Sequence, residues 1–386
     1  GVEAEYPPLQ FDTANDGARI MIRGDGLGAV IGNHTASQAI YLAPGFDTGF
    51  LTFKDLAINH VHTGNSWAIR FGNMSTDVNL RLENVELDSS HHAVWFGAAG
   101  QNNLTVVDSA IEYSSKGIIA SADPGEIVFS GTVVNASGQG GTCIHRAGGR
   151  FAGVTIIEGS EFHGSPNDHI VNVSWRIDDL TVRDSAFYHR SPANECIDAL
   201  CAGKTVIERC EFYDLGGLNV QGGRFLALRN GTGLRFSNNH IEAISSATPY
   251  WVTAVVIDCP TATGSIAMVD NTILTGGAGI RISPPGVSGA GGRFEGNTVT
   301  VENVGASNWA HAVEIGTSPA FDIVPPHFFG SWSITSNSIR YLGTSAGIGM
   351  RVGREVGPQS TIAHNTIVNL TTWSHGLPYG FYALGN

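Results

Sequence analysis

With 386 residues, a net charge of -13 and only 14% charged residues, the chain lacks the positive surface that nucleic acid or an anionic membrane requires. No apolar run reaches the length of a bilayer span, and no basic region leads into a hydrophobic stretch at the N-terminus, so no membrane insertion is expected. Its 50 glycines suit strands joined by tight turns, and helical periodicity is nowhere sustained.

The chain opens with Tyr6-Pro7-Pro8 running into Leu9-Gln10-Phe11. From Leu51 onward one phrase recurs: an alternating apolar strand, a small polar residue at a bend, a further apolar position, and a variable polar loop. Copies begin near Leu51, Leu80, Leu104, Ile127, Thr155, Leu180, Thr205, Leu234, Ile266, Arg293, Ser333 and Thr361. Repeat lengths of roughly 20 to 50 residues mark solenoids, in which each repeat stacks on its neighbours. The final segment, from Tyr379 to Leu384, reads as an unfinished coil.

The residue just after the bend forms a column: Ser109, Thr132, Ser160, Ser185 and Cys210, then Asn239, Asn271, Asn297, Asn337 and Asn365, interrupted only by Leu56 and Val85. Parallel strands about 4.8 Å apart place equivalent side chains over one another, and an amide both donates and accepts, so it can bond to copies above and below. Each coil is expected to hold a strand such as 180–183, the bend, a second strand such as 186–188, and after a loop a third strand such as 196–200. The fold class read from this pattern is all-β: a single solenoid domain over residues 1–386, of about 12 coils with three parallel sheets and an internal Asn/Ser ladder.

The five cysteines form no CxxC pair and no zinc spacing, and are read as reduced residues packed in strands or in the column. The adjacent His91 and His92 would point to opposite faces of a strand, so no metal and no other cofactor is expected.

This pattern resembles the pectate-lyase-like right-handed parallel β-helix superfamily, whose inner Asn ladder matches the Asn239 to Asn365 column. The opening GARIMIRGDGLGAVIGN, from Gly17 to Asn33, looks like the first-coil segment of bacterial and phage members. The resemblance implies a polysaccharide or oligosaccharide partner, an extracellular or virion-associated location and a tailspike-like homotrimer, while the lack of a recognisable cap at either end leads to the expectation of a piece of a longer chain.

In a solenoid, function is read down columns, because stacked loops bring distant residues together. The loop before the third strand and the outward positions of that strand are crowded with ionisable groups in the central coils, from His60 and His62 through His189 and Arg190. Two parallel loops, HGSPNDHIV and HRSPANECID, end in Asp168 and Glu195. Adjacent coils would set such carboxylates roughly 5 to 6 Å apart, the separation of a retaining glycosidase, carboxylates two coils apart fit the inverting range of about 6.5 to 9.5 Å, and like charges that close split into an acid and a base.

Asp168, Glu195 and Asp198, with His145 beside them, are therefore the expected catalytic groups of an endo-glycosidase acting on a bacterial surface or extracellular polysaccharide. Lys116, Arg146, His169, Arg190, Asn219, Trp95 and His92 are expected to bind the sugar. The alternative enzyme is a lyase cleaving a uronic-acid polymer by β-elimination, with Lys116 and Arg146 facing the acid group. Lys116-Gly117 and Arg146-Ala147 depart there from the Lys-Ser and Arg-His-Gly that such lyases carry. The non-catalytic alternative is a glycan-binding or structural β-helix of an adhesin or tail fibre.

Overall fold

A computed structural model describes residues 9–12, 18–25, 29–33, 37–43, 49–61, 64–72, 78–96, 102–120, 125–138, 141–146, 153–217, 223–230, 232–244, 252–258, 264–283, 291–302, 310–316, 330–342, 347–352, 359–370 and 379–383. Among these every regular element is a strand, and every strand pairing is parallel within a β-solenoid. The chain divides into two compact units, Gly1–Thr181 with Ser185–Phe187 and Val182–Asp184 with Tyr188–Asn386.

In the first unit, the third strands of successive coils form one ladder: Leu9–Phe11, Gln38–Leu42, Trp67–Phe71, His92–Phe96, Lys116–Ala120, Ile144–Arg146 and Val171–Ile177. The second unit has its own ladder from Ile197–Cys201 to Tyr379–Ala383. The number of rungs therefore differs slightly from the expected 12, because strands outside the repeated phrase also join.

The core is built from vertical apolar stacks. Ile40, Ile69, Val94, Ile118, Ile144 and Val171 are register partners in turn, each essentially sealed from water. Phe236, Met268, Phe294 and Ile334 do the same in the second unit. Fully burying such a side chain contributes about 1.5 to 3 kcal/mol, so each rung supports the next.

The bend has one backbone solution throughout. Asp55, Asn84, Asp108, Gly131, Gly159, Asp184, Arg209, Asn238, Asp270, Gly296, Ser336 and His364 all have positive φ, between 46° and 66°. That left-handed turn throws the next residue inward, which is why the column exists. Asn, Asp and Gly tolerate it most readily.

The asparagines then superpose as expected. Asn271 donates from Nδ2 to Asn297 Oδ1 at 2.9 Å and to the Phe236 carbonyl at 2.9 Å, and its own Oδ1 accepts from Asn239. In the first unit hydroxyls serve instead: Ser109 Oγ accepts from the Val85 amide at 3.0 Å, and Ser160 Oγ from the Thr132 amide at 3.2 Å.

Leu56 and Val85 interrupt the column for a structural reason. Phe50–His60 and Asn79–Ser89 run unbroken through the bend. Each thereby joins the ladders before and after it into one sheet, so in the first unit the three expected ladders make two sheets.

Candidate functional site

The outward face of the third-strand ladder gathers the candidate residues of the first unit. His92, Ala93, Val94, Trp95 and Phe96 show how: Val94 and Phe96 are sealed in the core, while Trp95 between them turns outward, as alternation predicts. Register then stacks Tyr41, Arg70, Trp95, Ile119, His145 and Asn172 in one outward column, and Trp67, His92 and Lys116 in the next.

Lys116 opens its strand where the Ser115 amide bonds the His91 carbonyl at 2.8 Å. The glycine after it is required: a Cβ on Gly117 would run into the Cys143 carbonyl oxygen. This accounts for the departure from Lys-Ser in the lyase-like pattern, since a serine cannot stand there without moving the next coil.

His145 follows one coil later, half-buried. Burial lowers its pKa below the usual 6.5, the Lys116 charge lowers it further, and the Asp168 carboxylate opposes both. Its Nδ1 is buried without a hydrogen-bond partner.

Asp168 accepts from the His169 amide at 2.8 Å and from His169 Nδ1 at 2.9 Å. Burial pushes this carboxyl up, but the His169 bonds, with help from the Thr142 side chain, outweigh it and hold the pKa below 3.8. The group is thus an anion near neutrality. It also lies close enough to Tyr113 and Cys143 beneath it to disfavour their ionisation.

His92 is buried, and its pKa falls to about 3, through burial first and then the neighbouring His91 and Lys116. Its Nε2 lies 2.9 Å from Asn65 Oδ1, and its ring stacks on Trp67 with centroids 5.5 Å apart. Lys116, His145, Asp168, His169 and His92 are therefore brought together in the first unit.

Glu195, Asp198 and Arg190 belong to the second unit. Glu195 faces Arg224 at 3.3 Å, and Asp198, buried in Ile197–Cys201, pairs with Arg229 at 2.6 Å. Arg190 is exposed. Arg146 ends the strand Ile144–Arg146 with its side chain outside the described residues, and Asn219 lies outside them altogether. His60 and His189, which the sequence placed on the polar face, are instead fully buried.

Sequence reasoning missed Arg70 and Thr142 in the first unit and the partners Arg224 and Arg229 in the second. Aligning WAIRF above HAVWF would have stacked Arg70 on Trp95. Among the described residues no group of three His, Cys, Asp or Glu side chains is placed to hold a metal ion, and the buried Cys143, Cys196, Cys201 and Cys210 are free thiols. Comparison with protein-family models, curated proteins and solved structures finds no match to this chain.

Proposed function

We propose that the chain cleaves a uronic-acid-containing polysaccharide by β-elimination along the outward face of its first unit. The observation that carries this reading is the set on neighbouring rungs: a neutral imidazole, His145, beside the cation Lys116 and the anion Asp168. Elimination needs a base for the proton beside the sugar's carboxylate and a cation to hold that carboxylate as charge moves onto it. His145 would take the C5 proton, the bond between C4 and its oxygen would break, the electron pair would form a C4 to C5 double bond, and the leaving oxygen would take a proton from water. Asp168, fixed by His169, raises the basicity of His145 and orients the site.

Hydrolysis, the reading the carboxylates first suggested, needs a carboxylic acid that still carries its proton. Asp168 is held ionised, and Glu195 and Asp198 each already face a guanidinium. Hydrolysis keeps one point of support, the placement of Asp168 in a half-buried loop beside several donors. The parallel solenoid and its Asn ladder support placing the chain near the pectate-lyase-like proteins, among which both chemistries and mere glycan binding are found.

An assay on uronate polymers distinguishes the readings. New absorbance from an unsaturated uronate, lost in His145→Gln, is the expected result. Reducing ends without that absorbance, lost in Asp168→Asn or Glu195→Gln, would replace elimination by hydrolysis, and neither signal would leave a binding protein.

A further inference from the structure

We propose that Trp67, Arg70 and Trp95 form a second site, which binds the acid group of a different sugar residue from the one at His145. The proposal rests on the preceding reading in taking the ligand as a glycan, but it concerns binding and not cleavage.

The Arg70 guanidinium carbon lies 4.9 Å from the Trp67 ring centroid and 5.1 Å from that of Trp95, and the two indoles are 5.6 Å apart. Cation–π contact with two indoles holds the fork in place at modest cost in freedom. Many cations among the described residues are answered by carboxylates: Arg23 by Asp55, Arg209 by Asp184, Arg224 by Glu195, Arg229 by Asp198, Arg293 by Glu295 and Arg351 by Glu314. Arg70 and Lys116 have no carboxylate at ion-pair distance among the described residues. In a chain of net charge -13, these two cations stand together on one face of the first unit.

The hydrogen-bonding inventory has the same sign. Arg70 Nε and Trp67 Nε1 are both sealed from water with no acceptor. A buried donor without a partner costs about 1 to 3 kcal/mol, and an oxyanion would relieve it only where the side chains around these atoms shift to admit it. A carboxylate or sulfate can also take two parallel bonds from the guanidinium fork. Trp95, facing outward in the same column, offers a flat face on which a sugar ring can stack.

The site is separate from the reacting centre. Arg70, Trp95, Ile119 and His145 are successive register partners, so three strand spacings, roughly 14 Å, divide Arg70 from His145. The ligand class is a polymer whose acid groups recur at that separation, with Lys116 on the path between.

The test is equilibrium binding of the full chain to three polymers with one backbone: dextran, carboxymethyl-dextran and dextran sulfate, at low and high salt. Charged dextran should bind at least about tenfold more tightly than neutral dextran, and Arg70→Met should remove most of that preference. Arg293→Met, which removes an exposed cation elsewhere, should leave it unchanged. A preference for the carboxymethyl polymer assigns a uronate and a preference for the sulfate a sulfated sugar, both within the proposal. Equal binding of all three polymers, or equal losses in Arg70→Met and Arg293→Met, overturns it. If Arg70→Met does not fold, Arg70→Lys carries the test, because it keeps the charge but not the fork and should lose about fivefold, while undiminished binding overturns the proposal. Charge-selective binding without any unsaturated product would sink elimination alone. Cleavage with binding unaltered in Arg70→Met would sink the second site alone.

Discussion

Asn297 Oδ1 accepts two hydrogen bonds from Asn271, one from the side-chain Nδ2 at 2.9 Å and one from the backbone amide at 3.1 Å. The side-chain amide of Asn271 also donates from Nδ2 to the Phe236 carbonyl, and its Oδ1 accepts twice from Asn239. Replacing it with alanine would remove the acceptor of two Asn239 donors and the donor to the Phe236 carbonyl, while Asn297 Oδ1 would keep only its bond from the backbone amide. At about 1 to 3 kcal/mol per orphaned group, Asn271→Ala should lose at least about 3 kcal/mol in urea denaturation. Asn271→Ser should lose less, because the hydroxyls of Ser109 and Ser160 already play the accepting part in the first unit. Equal stability of the alanine variant and the parent would mean that the ladder is decoration on the apolar stacks.

The bends give a prediction of opposite sign. His364 holds a φ of 56° in the last described bend, a conformation costing a residue with a Cβ roughly 1 to 2 kcal/mol. Glycine stands at three equivalent bends, Gly131, Gly159 and Gly296. His364→Gly should therefore stabilise the fold, by less than that cost once the greater freedom of glycine in the unfolded chain is subtracted. Calorimetry should show a higher Tm, and a fall would show that the imidazole makes contacts worth more than the backbone strain.

The repeating parts of this architecture were legible in the sequence because a solenoid states them many times. Twelve bends, an inward polar residue after most of them, and the outward turn of Trp95 follow from alternation and spacing alone. Single events were not legible. Nothing local to Glu195 or Asp198 announces that Arg224 and Arg229 answer them, since each partner comes from the next coil across loops of variable length. His60 and His189 turn inward in step with Ile58 and Phe187 of their own strands, so they were missed because they were assigned to the following loop and not to the strand. The fusion of ladders at Phe50–His60 and Asn79–Ser89 depends on an apolar residue after the bend, which the column registered only as an interruption.

Burial of His92 ties stability to pH. Its folded pKa is about 3 against 6.5 for the free imidazole, so in this window the unfolded chain takes up a proton that the folded chain refuses. The native state is at full strength above pH 6.5 and weakens as the pH falls toward 3. At pH 4 the loss from this one group is about 3 kcal/mol. His92→Phe, which keeps the contact with Trp67, should flatten the dependence of the urea midpoint between pH 6.5 and 4. An unchanged slope in the variant would move the acid sensitivity to other groups.

The charges around His145 make its role as base testable by direction. Since its pKa lies below 6.5, the acid limb of the cleavage profile should also lie below 6.5, with activity falling only as His145 finally takes a proton. Lys116 depresses this pKa and Asp168 raises it. Lys116→Met should therefore move the limb to higher pH and Asp168→Asn to lower pH, while both variants lose rate, one by releasing the sugar's acid group and the other by weakening the base. Two limbs moving in the same direction, or a limb that survives in His145→Gln, would assign the proton transfer to another residue.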